Sequence, residues 1–252
     1  MSSESSTPSI ILKLAEPKGL WSTAWSHDGR KIAAIGKSGT AYIFEPRSSP
    51  EAVSSRLLPI QGIKPARVAW VGDDIFVTAF SKSRNREYHL LSGQTLATVF
   101  TNTLDTSPGL LIPLVDHERK LVYVSARGDM SLRQVEIGGP TSFQETIHPL
   151  PSQLASASLA LAFPGTLPVM SAQIATILVP QVDKDGDVLL PFGVRVPRRQ
   201  LIDFHEDLYP EITGTSKVPP WTSFYHLLIC STGANCRGVA ERGGPSSAPH
   251  LS

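Results

Sequence analysis

One acidic segment of this chain comes nearest to metal chemistry. Asp183-Lys184-Asp185-Gly186-Asp187 offers carboxylate oxygens, the ligands that Ca²⁺ prefers. An EF-hand loop needs its glycine at the sixth position and a glutamate at the twelfth, whereas here glycine is fourth and the twelfth residue is Val194. Asp and Gly are also the residues that a tight turn requires. We therefore expect a charged hairpin turn, and we predict no metal site.

Residues for covalent, zinc or phosphate chemistry are present without the required arrangement. His27 lies beside Asp28, but no Gly-x-Ser-x-Gly segment supplies a nucleophile. The seven histidines include no pair at ligand spacing. No Gly-x-x-x-x-Gly-Lys-Ser/Thr loop is present to hold a phosphate. The sequence thus predicts no catalytic residue, no cofactor and no enzymatic activity.

A first basic group is a candidate for contact with a protein partner. Lys82, Arg84 and Arg86 lie between two strand-like segments, and we expect all three to form an exposed run. A basic loop on a rigid scaffold speeds association with an acidic partner through electrostatic steering. The alternative is that the run is ordinary solvated charge.

A second basic group precedes a short acidic and aromatic segment. It contains Arg195, Arg198 and Arg199, and the acids that follow are Asp203, Glu206 and Asp207. The preferred interpretation is that Arg198 and Arg199 pair with these acids and dock the segment. Phe204, Leu208 and Tyr209 are the apolar residues of this segment, and we expect their side chains to pack against the last blade.

The elements that carry these groups are short strands in a repeating pattern. Trp25 and Trp70 end two apolar runs 45 residues apart, and Val115 takes the same place in a third run another 45 residues on. A unit of about 40–45 residues made of short strands is typical of a β-propeller blade. We predict an all-β fold, a partial WD40-type propeller of about four blades with an extended C-terminal segment. Trp25 and Trp70 should pack in the blade core.

The predicted strands follow from apolar runs bounded by Gly, Asp, Ser and Pro. They cover residues 10–14, 20–25, 31–35, 41–44, 66–71, 75–80, 88–91, 95–100, 110–115, 121–125, 131–137, 172–180 and 188–196. We interpret residues 46–60 as a linker and residues 138–168 as an irregular insertion. The expected domains are an arm (1–8), the propeller (9–197), an extension (198–221) and a disordered tail (222–252).

The blade count predicts an open assembly. Three clear blades and one irregular blade are too few to close an ordinary ring, since propellers have four to eight blades. We therefore expect the units to lie on an arc, as the C-terminal portion of a larger propeller or a truncated form of one.

Composition excludes several classes of function. The net charge of +1 provides no field for nucleic acid. Both cysteines, Cys230 and Cys236, lie in the tail, which favours a reducing, cytoplasmic location. Residues 169–179 form an uncharged, mainly apolar run of 11 residues between Pro168 and Pro180, but a spanning helix needs about 18 residues or more. We predict a buried strand of the last blade there and no membrane span.

Three segments resemble the coronins, the WD-repeat proteins of the actin cytoskeleton. Residues 21–29 with Glu45-Pro46-Arg47 are similar to the middle blade of that family and its trailing "EPR". Residues 109–133 resemble its "LLPFxD…IVYLxGKGDxxIR" stretch. Val196-Pro197-Arg198-Arg199 and residues 203–211 resemble its "VPR…LFQEDLYPDT" segment, which follows the last blade.

The resemblance implies a cytoskeleton-associated scaffold that binds actin filaments, and other proteins through the propeller surface. It covers roughly residues 10–215. The first three blades of the family and its C-terminal coiled coil have no counterpart in the sequence. A general WD40 scaffold, for example one in vesicle traffic, is the alternative function.

Overall fold

A computed structural model of the protein describes residues 12, 14, 16, 18–138, 143–156, 158–183, 186–198 and 204–209. These residues form fifteen β-strands and three single-turn 3₁₀ helices. The strands are β1 Leu20–Trp25, β2 Ile32–Gly36, β3 Thr40–Phe44, β4 Ala52–Leu57, β5 Arg67–Val71, β6 Asp74–Phe80, β7 Arg86–Leu91, β8 Thr98–Thr103, β9 Ile112–Asp116, β10 Leu121–Ser125, β11 Ser131–Ile137, β12 Phe143–Pro149, β13 Ala160–Leu161, β14 Gln173–Asp183 and β15 Gly186–Arg195. The 3₁₀ helices are Pro164–Thr166, Val169–Ser171 and Glu206–Leu208.

The strands form four antiparallel sheets in which chain neighbours pair in order. Three sheets have four strands each, β1–β4, β5–β8 and β9–β12, and the fourth contains β13–β15. The first strands of successive sheets contact one another, β1 with β5, β5 with β9, and β9 with β13. The sheets are four blades of a WD40-type propeller fragment, which confirms the predicted fold.

The core lies between successive blades. The first cluster joins Ile35 and Ile43 of the first blade to Val77 of the second. Two further clusters fill the second and third interfaces in the same way. A sheet buried on both faces needs apolar residues at consecutive positions, which explains why strands such as β6 and β10 show no alternation of polar and apolar residues.

Two segments that lacked a strand pattern form strands. The predicted linker 46–60 contains β4, and the predicted insertion 138–168 contains β12 and β13. β4 and β12 are the outermost strands of their blades and are largely exposed, so their sequences are polar. Because the hydrophobic pattern reports burial, it does not detect a strand of this kind.

The apolar run 169–179 is a strand over only part of its length. Residues Val169–Ser171 form a 3₁₀ turn, and Ala172 follows with a φ of 51°, in the left-handed region. From Gln173 onward the prediction is confirmed, because Ile174, Ile177 and Val179 are buried against the third blade.

The acidic segment and the chain ends are described only in part. Asp183 and Gly186 are paired in register at the adjoining ends of β14 and β15. Lys184 and Asp185, the arm 1–8, most of the predicted strand 10–14 and the tail 222–252 lie outside the described residues. Within the described part of the chain, no helix is long and apolar enough to cross a membrane.

Candidate protein-binding face

Because strand direction alternates within each blade, several loops that are far apart in the sequence lie at the same end of the blades. In an antiparallel sheet of four consecutive strands, the turn after the second strand and the link to the next blade lie at the same end. Backbone hydrogen bonds join these connections, from Leu58 N to Gly39 O (3.0 Å) and from Gln61 N to Phe80 O (2.7 Å). A third bond, from Leu154 N to Asp129 O (3.0 Å), does the same further along the chain.

Basic side chains collect at this end, although they are spread over the sequence. We call the end the basic face, and its cations are Lys18, Lys37, Lys64, Lys82, Arg84 and Arg127. Lys37 and Lys64 are half-buried, with their ammonium groups 4.8 Å from the ring centres of Trp21 and Phe80. The other four are exposed. None of the six has an ion-pair partner among the described residues.

The turn between β6 and β7 presents two of these cations on an ordered backbone. Arg84 N donates to Ser81 O (2.9 Å), and Ser81 N donates to Asn85 O (2.8 Å). Arg84 has a φ of 69°, in the left-handed region, so the chain reverses sharply at this residue. Lys82 and Arg84 are exposed at the tip, as the sequence predicts.

Arg86 does not belong to this exposed run, and the prediction that it is exposed is wrong. It is the first residue of β7, and its side chain is only 4% exposed. Its guanidinium donates to both carboxylate oxygens of Asp105 (2.6 Å each) and to those of Asp129 (2.9 and 3.0 Å). These bonds tie the second blade to the link after β8 and to the β10–β11 turn.

Asp105, Asp129 and Glu16, three described carboxylates at this end, are already engaged. The hydrogen bond from Arg86 holds the pKa of Asp105 below its usual range. Glu16 accepts hydrogen bonds from the hydroxyls of Ser38 and Tyr42, and the bond from Ser38 lowers its pKa. The six cations of the basic face therefore outnumber the described carboxylates at this end, of which Asp187, beside the β14–β15 turn, forms no ion pair with them.

The opposite end of the blades carries both signs of charge in pairs. Arg30 pairs with Asp28 (3.6 Å), and Arg119 pairs with Asp116 (3.1 Å). His27 stacks on His117 with 4.6 Å between ring centres. Burial and the neighbouring His27 lower the pKa of His117. Among the described residues, no group of three His, Cys, Asp or Glu is arranged to hold a metal ion.

The segment after the last blade packs on this opposite end. The Tyr209 hydroxyl donates to Val169 O (3.0 Å) or Gln173 O (3.1 Å), both in the fourth blade. Arg119 of the third blade donates from Nε to Leu208 O (3.1 Å), and its guanidinium lies 5.8 Å from the centre of the Tyr209 ring. Sequence reasoning missed Arg119, because nothing local to its turn marks a partner 89 residues away.

The predicted docking residues fall into two groups. Arg198 pairs with Asp207, and Leu208 packs against the cluster between the third and fourth blades. Phe204 is 53% exposed and stacks on the Tyr209 ring at 5.4 Å, so the expectation that it is buried is wrong. Its ring covers Tyr209 and leaves one side to solvent. Arg199 and Asp203 lie outside the described residues.

Comparison with known proteins finds relatives among the coronins. Rat Coronin-7 is 30% identical over 200 residues, which are 77% of this chain and 21% of that protein. Coronin-A of Dictyostelium discoideum is 26% identical over 191 residues, 75% of this chain and 41% of that protein. The crystal structure of the WD40 domain of Toxoplasma gondii coronin superposes with a TM-score of 0.68 at 25% identity, covering 77% of this chain and 50% of that one.

The chain is a homologue of the coronins. No family model matches it. The chain spans about a fifth of the length of rat Coronin-7 and 41% of Coronin-A. The matched structure is a coronin WD40 domain, in agreement with the four blades of this coronin homologue.

The docked segment gives a test of what holds it. Tyr209→Ala should destabilise the protein by about 1–3 kcal/mol, because it removes partly buried aromatic area and a hydroxyl hydrogen bond. Asp207→Asn should cost about 0–1 kcal/mol, since an exposed ion pair contributes little. Thermal unfolding followed by circular dichroism measures both. Equal losses in the two variants would mean that charge, and not packing, holds the segment.

Proposed function

We propose that this coronin homologue binds actin filaments through the basic face and thereby organises the actin cytoskeleton in the cytoplasm. The observation that carries the proposal is the set of six cations at one end of the blades without ion-pair partners among the described residues. Actin filaments are acidic, so this face matches them in sign. The family relationship supports a filament-binding role, and binding of this kind requires no catalytic residue.

The basic face acts first on the rate of association. Unpaired cations on a rigid scaffold steer an acidic partner toward the contact and raise the association rate at low salt. Lys82 and Arg84 are the strongest candidates for direct contact, because their turn projects two charges from an ordered backbone. Lys37 and Lys64 rest on aromatic rings at the same end of the blades.

Charge reversal tests this assignment. The variant Lys82→Glu with Arg84→Glu should bind filaments roughly tenfold more weakly at low salt, equivalent to about 1.4 kcal/mol. The difference should shrink at physiological ionic strength, where screening shortens the reach of exposed charge to about 8 Å. Co-sedimentation with filaments over a salt series measures both effects.

The matched control reverses two cations at the opposite end. Arg30→Glu with Arg47→Glu makes the same change in net charge at exposed positions. This control should pellet with filaments as the unmodified protein does. Equal losses of filament binding in the two double variants would show that net charge alone causes the effect. The basic face would then not be the interface. A folded protein that does not pellet at any salt concentration would favour the general WD40 scaffold.

A further inference from the structure

The fourth blade exposes the edge of its last strand. It has three strands where the other blades have four, so β15 has no neighbour on its outer side among the described residues. Ala155 N donates to Pro180 O (2.9 Å), and Ala162 N donates to Thr176 O (2.8 Å), so these carbonyls point away from β15. The residues opposite them in register, Leu189 and Gly193, direct their own backbone groups to the open edge.

Proline makes this edge unsuited to adding another strand. Pro191 lies between Leu189 and Gly193 and shares their orientation, but it has no N–H to donate. A proline at such a position is a common means of blocking edge-to-edge pairing. The face of the blade is therefore the better contact surface than its edge.

That face is apolar and faces away from the third blade. Ile177, Val179 and Val194 pack toward the third blade, so the alternate residues of β14 and β15 lie on the other side. We call this other side the outer face of the fourth blade, with residues Leu178, Pro180, Val182, Leu189 and Pro191. Val182 is 61% exposed and Leu189 is 42% exposed.

Two charges frame the outer face symmetrically. Asp187 and Arg195 lie four residues before and after Pro191, on the same side of β15. Both are exposed, and neither has an ion-pair partner among the described residues. When a second β15 runs antiparallel across Pro191, each Asp187 meets the Arg195 of the other copy. The pattern is self-complementary, as a two-fold interface requires.

We propose that two copies of this chain associate face to face through the outer face of the fourth blade. The two-fold axis passes near Pro191, with the two β15 strands antiparallel. The apolar residues of the two sheets pack in the centre, and two Asp187–Arg195 pairs close the ends. Sheets that pack in this way keep their strand directions within about 30° of alignment.

Charge exchange tests the proposal on the full chain. Asp187→Arg alone and Arg195→Asp alone should each weaken the dimer about tenfold or more, because symmetry places like charges at both ends. The double variant, Asp187→Arg with Arg195→Asp, should restore the affinity of the unmodified protein. Sedimentation equilibrium over a range of protein concentrations measures the dissociation constant.

An apolar variant tests the centre of the interface separately. Leu189→Lys should give a monomer, while Val53→Lys, at an exposed apolar position on β4, should leave the dimer intact. Circular dichroism checks that each variant is folded. A protein that is monomeric at every concentration, or a dimer that the single charge reversals leave unchanged, would overturn the proposal.

Discussion

Arg86→Met should lower the melting temperature by about 6–20 °C. The substitution keeps most of the side-chain length but leaves Asp129, and to a lesser extent Asp105, without the cation that compensates them. Breaking a buried ion pair by removing one partner costs about 3–5 kcal/mol. Each kcal/mol shifts the melting temperature of a protein of this size by about 2–4 °C. Thermal unfolding at neutral pH measures the loss.

Two controls separate the buried arginine from its exposed neighbours. Lys82→Met with Arg84→Met should stay within about 0.5 kcal/mol of the unmodified protein, as surface substitutions usually do. Adding Asp105→Asn and Asp129→Asn to Arg86→Met should recover part of the stability, because the uncompensated charges are gone. If Arg86→Met unfolds at the same temperature as the surface variant, the ion pairs contribute little to stability.

Arg86 also shows where sequence reasoning fails. Lys82, Arg84 and Arg86 look alike in the sequence, alternating over five positions. The partners that separate Arg86 from the other two are Asp105 and Asp129, 19 and 43 residues away. Local patterns carry no information about partners that only the folded chain brings together.

The strands were predictable to the extent that they are buried. Apolar runs and glycine turns located the inner strands of the first three blades, and β14 and β15 of the fourth, because these strands fill the space between sheets. The outer strands β4 and β12 were missed because one or both of their faces meet solvent. The 45-residue period supplied the architecture that individual strands could not.

The basic face was partly accessible from the sequence. Lys82 and Arg84 were predicted as an exposed pair, but Lys18, Lys37, Lys64 and Arg127 were not. Each of these four stands apart in the sequence, and none marks a site on its own. They come together because every second connection between strands lies at the same end of the blades. That rule, applied to the predicted strands, would have placed them on one face.

The two tryptophans of the repeat should respond very differently to truncation. Trp70→Ala should cost about 3–5 kcal/mol, the usual range for removing a buried tryptophan. Trp70 is buried between the first two blades, and its Nε1 donates to Ala24 O (3.1 Å). A Cβ built at Gly93 would lie 2.7 Å from the indole, so the ring fills this space completely. Trp25→Ala should cost far less, because Trp25 is 57% exposed.

The two tryptophans differ because the side chain at this repeated position faces the preceding blade. Trp70 packs toward the preceding blade, and Val115, its equivalent in the third blade, packs against the cluster between the second and third blades. Trp25 belongs to the first blade, and no blade precedes it among the described residues. Its ring therefore meets solvent, and the prediction of a core role holds for Trp70 alone. Chemical denaturation of the two alanine variants measures both free energies of unfolding, and equal losses would show that Trp25 is covered in solution.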